Sequence, residues 1–95
     1  MEEEKNISYK LTYYENNVSV TEHKIQSETN DYLKLITKDG GIIREKRDCS
    51  YHKHFRDKVD AYTEGMNYLL NRKTYLQDSL EEILVSIADL NNTEL

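Results

Sequence analysis

The most regular pattern of this chain lies in FRDKVDAYTEGMNYLLNRKTYLQDSLEEILVSIADL, residues 55–90. Its large apolar residues recur at alternating spacings of four and three, the heptad spacing that places side chains on one side of an α-helix. The series consists of Phe55, Val59, Tyr62, Met66, Leu69, Leu76, Leu80, Ile83, Ile87 and Leu90. Only Lys73 interrupts it. The pattern predicts a helical region over 51–91, followed by a tail at 92–95.

The continuity of this helical region is open in the sequence. A single helix would be ~54 Å long at 1.5 Å per residue, which is longer than a small domain can cover. The polar stretch 71–74 offers an alternative, because Thr74 and Gln77 fit a capping box that would start a second helix. The chain would then form a hairpin of helices at roughly 51–70 and 75–91. In both cases we predict an oligomer interface formed by Leu76, Leu80, Ile83, Ile87 and Leu90.

Residues 6–48 show the period-2 alternation of β-strands. Strands are predicted from Ile7, from Val18, at 32–37 and at 42–47, and the alternation slips at 22–25, as a β-bulge would cause. Lys38-Asp39-Gly40-Gly41 is a hairpin signal, because glycine supplies the positive φ of tight turns. All connections are too short for a parallel crossover. The fold class is therefore predicted as α+β, a four-stranded antiparallel β-meander followed by a long helix or helical hairpin, in one domain over 1–95.

One face of the predicted sheet is too apolar to meet water. Its members are Ile7, Tyr9, Leu11, Tyr13, Val18, Val20, Leu33 and Leu35. Because helices and sheets bury their apolar faces against one another, we expect the early helix, 59–70, to cover this face. The later helix, 76–90, would then be free to assemble with other chains.

Charge is distributed unevenly along the chain, whose net charge is −5. The two ends of the sequence are acidic, since residues 1–43 carry eight acids against five bases and residues 76–95 carry acids and no base, whereas 44–58 is a basic segment. Its candidate binding residues are Arg44, Lys46, Arg47, His52, Lys53, His54, Arg56 and Lys58. Cations with interleaved aromatic rings suit phosphate contact and base stacking. In one alternative, these cations pair with the acidic ends, either within the chain or across a dimer. In another, they contact an acidic patch on a partner protein.

Residues 49–54 hold the one cluster of metal-ligand types. Cys49, His52 and His54 are closely spaced and lack the fourth ligand that tetrahedral zinc requires. No glycine-flanked nucleophile, phosphate loop or metalloprotease spacing occurs. We therefore predict no metal site, no cofactor and no enzymatic activity.

Composition narrows the class of protein further. A single cysteine excludes an internal disulfide framework, no apolar run approaches membrane-spanning length, and no signal-peptide pattern is present, so we expect a cytoplasmic protein. Abundant Lys, Asn, Glu, Ile and Tyr are typical of AT-rich genomes and their phages. The resulting hypothesis is a non-enzymatic, homo-oligomeric binding protein, such as a phage or mobile-element factor that inhibits a host or defence protein by docking. The alternative is a nucleic-acid or nucleotide binder that uses 44–58.

Overall fold

The computed structural model describes residues 6–93 as an antiparallel sheet followed by one long helix, which confirms the α+β class. The elements are β1 Ile7–Tyr14, β2 Asn17–Glu28, β3 Tyr32–Ile36, β4 Ile42–Lys46, β5 His52–Phe55 and α1 Lys58–Asn91. Residues 94 and 95 of the predicted tail lie outside the described residues. Within the described range, no helix combines the length and the apolar character that crossing a membrane requires.

The sheet has five strands rather than the predicted four, in the order β4-β3-β2-β1-β5. The added strand β5 comes from residues predicted as helical. Its four residues alternate between the two sheet faces and pair with β1, with Tyr9 opposite Phe55. The helix begins only after Asp57, whose carboxylate accepts a 2.8 Å hydrogen bond from the amide of Val59. Phe55 therefore belongs to the sheet, and the heptad series on the helix begins at Val59.

The predicted turns and strand irregularity are present. Gly40 has a φ of 86° in the β3–β4 turn, and Glu15 has a φ of 52° in the tight β1–β2 turn. The pairing of β2 with β3 shifts between Ile25 and Ser27, which places a β-bulge immediately after the predicted slip. The first four strands thus follow the predicted meander.

The sheet curls until its two edges meet. Residues 47–49 continue from β4 and bond to β5: the His54 amide donates to the Arg47 carbonyl and the Cys49 amide to the His52 carbonyl, both at 2.8 Å. The curled sheet has an inner face, where Ile25, Leu33 and Leu35 form a buried cluster. The expectation that Leu33 and Leu35 face the helix was wrong. They lie on the other face of the sheet. Leu35 is directly opposite Ile25 on β2, and successive side chains of a strand point to opposite faces. Odd-numbered Ile25 therefore points away from the helix, whereas even-numbered Val18 points towards it.

The helix packs on the outer face of β1, β2 and β5, and the Tyr68 ring lies 5.0 Å from the ring of Tyr13 on β1. Ala61 and Gly65 are the buried members of the helix. A Cβ atom added to Gly65 would lie 3.0 Å from Leu11 Cδ1 and 3.1 Å from Val18 Cγ1, so glycine allows the close approach. The predicted lid, 59–70, does lie on the sheet, but its large heptad residues do not make this contact.

The helix is continuous, so the helical-hairpin alternative was wrong. Thr74 does not cap a second helix, because its hydroxyl donates to the Leu70 carbonyl at 3.2 Å within the same helix. As a result the described chain is elongated, with principal extents of 71 × 24 × 23 Å.

Candidate docking surface

The helix carries an apolar stripe that the sheet does not cover, which we call the seam. It consists of Val59, Tyr62, Met66, Leu69, Lys73, Leu76, Leu80, Ile83, Ile87 and Leu90. In heptad notation these are the a positions (from Val59) and the d positions (from Tyr62). Leu80 and Ile83 are each 55% exposed and Leu90 is 75% exposed. Exposed apolar side chains in a continuous row mark an interaction site more often than isolated ones do.

The second half of the helix projects beyond the sheet. The hairpin tip supports the helix up to Arg72, whose Nε donates to Asn16 Oδ1 at 2.9 Å. From 73 to 91 every side chain except Ser79 is exposed. This projection is ~28 Å long at 1.5 Å per residue. A helix in water gains most of its stability from packing an apolar face, and the projecting half packs its apolar face against no other part of residues 6–93.

The acidic residues of the projecting half lie away from the seam. They are Asp78, Glu81, Glu82 and Asp89, at heptad positions b, c and f. The e and g positions beside the seam are uncharged, and Leu84 at an e position widens the apolar stripe. Ser79 and Ser86 at g positions are small. A second helix could therefore approach the seam without burying a carboxylate.

Two contiguous grooves follow the seam beside the sheet. The first, of about 550 Å³, lies between the helix and β2 and is lined chiefly by Val18, Val20, Tyr62 and Met66. The second, of about 350 Å³, continues past Leu69 towards the projecting half. Leu69 lines both grooves. The docking surface therefore extends onto the sheet domain.

The basic segment is divided by the fold. Arg47 and Arg56 both form ion pairs with Glu28, and Lys53 Nζ lies 3.8 Å from Glu64 Oε2. These contacts lie within the chain, as one predicted alternative had it: Glu28 belongs to the acidic first part of the sequence, whereas Glu64 lies in the early helix. Lys58 Nζ lies 5.9 Å from the Tyr62 ring centroid at the start of the helix.

The other cations of the segment lie on a part of the outer face that the helix leaves open. Arg44 and Lys46 share this face of β2–β3–β4 with Lys24 and Lys34, which sequence reasoning did not select. Lys34 is directly opposite Arg44, a pairing of like charges that destabilises a sheet. The Arg44 guanidinium lies 3.8 Å from the Tyr32 ring centroid. The alternation of side chains along each strand would have revealed this open basic face if the pairing of β2, β3 and β4 had been known from the sequence.

The inner face contains a polar cluster around the Glu45 carboxylate. Glu45 Oε1 lies 2.9 Å from Lys10 Nζ and 2.7 Å from His54 Nε2, and His54 Nδ1 lies 2.8 Å from the Ser8 hydroxyl. Burial raises the pKa of Glu45, but hydrogen bonds from Lys10 and His54 outweigh it, so the pKa is lowered overall. The cluster joins β1, β4 and β5, and thus holds the curled sheet closed.

Burial also lowers the pKa of His54, against the opposing effect of Glu45, and lowers the pKa of His23. Both rings are therefore held in the neutral form near pH 7. Ser8, His54 and Glu45 are connected like a nucleophile, base and acid. Ser8 is only 1% exposed, however, so a substrate could not reach its hydroxyl.

Ligand atoms of Glu45, His52 and His54 lie within 4.8 Å of one another, as a metal site requires. The Lys10 ammonium already bonds the same carboxylate oxygen, and a divalent cation there would meet its charge at close range. Cys49 Sγ approaches the other side of His52, 3.3 Å from Nδ1, and so points away from this set. Among residues 6–93, no buried side-chain polar atom lacks a hydrogen-bond partner. We therefore interpret the cluster as a structural network.

No protein-family model, curated protein or solved structure matches the chain. Within residues 6–93, the seam with its grooves and the open basic face are two exposed surfaces of distinct chemistry.

Proposed function

We propose that this protein is a non-enzymatic docking protein that assembles with other protein chains, first of all with copies of itself, through the seam of α1. The observation that carries the proposal is the projecting half-helix, which exposes large apolar side chains such as Leu80, Ile83 and Ile87. The same proposal includes the target: the assembled form docks onto a host or defence protein and inhibits it.

Burial of the seam would supply the driving force for assembly. Fully burying a Leu or Ile side chain contributes ~1.5–3 kcal/mol, so a half-exposed one gains ~1 kcal/mol. Nine apolar residues of the seam on each of two copies are available for this burial.

The test is a pair of charge substitutions with similar starting exposure. Leu80 is on the seam and 55% exposed, whereas Val85 is 60% exposed on the opposite side of the helix. Light scattering and analytical ultracentrifugation of the wild type should give an oligomeric mass. Leu80→Asp should weaken assembly by ~10³-fold or more, since ~2–3 kcal/mol is lost in each of two copies. Val85→Asp should leave the mass unchanged. A monomeric wild type at tens of micromolar would refute the proposal.

A second candidate function is nucleic-acid binding on the open basic face. Its support is the repulsive pairing of Lys34 with Arg44, beside the aromatic ring of Tyr32. Fluorescence anisotropy with labelled single-stranded and duplex DNA and RNA should show affinity that falls steeply with salt. Lys34→Glu should abolish binding, and Lys53→Glu, on the helix side, should not. No binding at low salt would eliminate this candidate.

A further inference from the structure

We propose that the second copy lies antiparallel on the seam, so that its projecting half-helix fills the groove between α1 and β2 of the first copy. This inference rests on the proposed self-assembly and adds the direction, the register and the surface that is completed. The observations that carry it are the symmetry of the seam, the charge of the two helix halves and the shape of the groove.

The seam is matched end to end only in one antiparallel register. Antiparallel coiled coils pack a residue at an a position opposite a d residue of the other helix. Starting from the ends, the layers pair Val59 with Leu90, Tyr62 with Ile87, Met66 with Ile83, Leu69 with Leu80 and Lys73 with Leu76. Every seam residue of both copies then has a partner. Lys73 lies beside Leu76 near the centre, where its long side chain can extend to water.

A parallel arrangement is disfavoured at the same position. It would place Lys73 of one copy against Lys73 of the other, two like charges in the middle of an apolar interface. A polar a residue is tolerated in coiled coils because it specifies register. Here the antiparallel register places the two Lys73 residues in adjacent layers, ~4.5 Å apart along the helix axis, rather than directly opposite each other. Antiparallel helix dipoles also attract, whereas parallel dipoles repel.

The charges of the two helix halves complement each other. Between 76 and 91 the helix has four acids and no base, whereas 58–75 contains Lys58, Arg72 and Lys73 against two acids. In the parallel arrangement the two acidic halves would lie side by side. In the antiparallel one each acidic half lies along the half with more cations, and Asp89 of the second copy arrives near Lys58.

The groove beside β2 has the chemistry and shape to receive the second helix. Its walls, Val18 and Val20 on the sheet and Met66 on the helix, are apolar. In the proposed register Ile83 and Ile87 of the second copy enter this groove. The side of the second helix that then faces the sheet carries the small residues Ser79 and Ser86 at g positions, and these leave room for β2 of the first copy. The two-fold axis repeats the same contact on the second copy, as an isologous dimer requires.

Disulfide trapping tests the direction and the register. In a Cys49→Ser background, Met66→Cys and Ile83→Cys are prepared as separate variants, each oxidised alone and after mixing. Residues 66 and 83 are ~25 Å apart along one helix, so in the proposed dimer neither variant can link to itself. The mixture should give a disulfide-linked dimer on a non-reducing gel, because facing a and d residues lie within the ~4.4–6.8 Å Cα separation of a disulfide. Leu69→Cys with Leu80→Cys tests a second layer in the same way.

Each outcome decides between the two proposals. A dimeric mass with linkage only in the mixtures supports the antiparallel register. A dimeric mass with linkage of a single variant to itself indicates parallel helices, and it overturns the inference while self-assembly stands. A dimeric mass with no linkage in either layer overturns the register. A monomeric mass for the wild type and the Cys49→Ser parent overturns both proposals together.

Discussion

Replacement of Glu45 by glutamine should destabilise the fold by about 2–3 kcal/mol. The change removes the anion that accepts hydrogen bonds from Lys10 at 2.9 Å and His54 at 2.7 Å. Removing one partner of a fully buried ion pair costs about 3–5 kcal/mol. The Glu45 and Lys10 side chains remain 19% and 21% exposed, so water reduces the cost and gives the lower figure.

The measurement is urea unfolding at pH 7.5, followed by circular dichroism. Protein concentration must be equal for all variants, because assembly adds to the apparent stability. A loss of this size corresponds to a fall in melting temperature of roughly 10–20 °C for a domain of this length. Glu22→Gln is the matched control, since Glu22 is an exposed carboxylate on β2. If both variants unfold within ~0.5 kcal/mol of the wild type, the polar cluster does not hold the sheet closed and the reasoning fails.

The pH dependence of unfolding gives the same experiment a second readout. Burial lowers the pKa of His54 and of His23, so the unfolded chain binds these protons more readily than the folded chain does. The stability that each neutral histidine gives to the folded chain is fully present above the ordinary pKa of 6.5. As the pH falls below 6.5, the free energy of unfolding decreases by at most ~1.4 kcal/mol per pH unit for each histidine. Because the pKa of Glu45 is also lowered, a further loss begins below its ordinary value of 4.5. Glu45→Gln should lack that second loss.

Substitutions at three further positions test the packing of the helix and the role of the thiol, with urea unfolding as the common measurement. Gly65→Leu should lower the free energy of unfolding by about 2–3 kcal/mol, because the new side chain would collide with Leu11. Gly65→Ala should lower it much less, since a gain of ~1 kcal/mol in helix propensity opposes the crowding. Tyr68→Phe should lose ~0.5–1.5 kcal/mol with the 2.7 Å hydrogen bond to the Glu15 carbonyl, and an unchanged midpoint would contradict that contact. Cys49→Ser should leave stability and oligomeric mass unchanged, because Cys49 is exposed; a loss of either would give the thiol a role.

Local chemistry was sufficient to predict four strands and the turns between them. The alternation in β1, the glycine turn at 38–41 and the slip near Ile25 are all determined by neighbouring residues. Strand β5 was missed for the opposite reason. Four residues rich in histidine and lysine have little strand preference of their own, and they become a strand because β1 is available to pair with them.

The candidate surfaces were predictable to different degrees. The seam follows from heptad spacing alone, whereas the division of the basic segment depends on which acids the fold brings near it. Glu28 is 19 residues from Arg47 in sequence, and a β-bulge lies just before it. The polar cluster was also hidden, because Glu45 and Lys10 lie on strands separated by two others and meet only when the sheet curls.

The choice of residues on the two sides of α1 argues that covering the sheet is only part of its role. The side on the sheet uses Ala61 and Gly65, which bring the backbones close, and Tyr68, whose ring packs against Tyr13. The large apolar residues that would make a better lid lie instead on the seam, and half of them lie beyond the end of the sheet. A helix that only closed the domain could end near Arg72, where its last hydrogen bond to the described sheet is made. The further nineteen residues, 73–91, add a row of exposed apolar side chains whose contact with water is unfavourable, which is the basis of the proposed assembly.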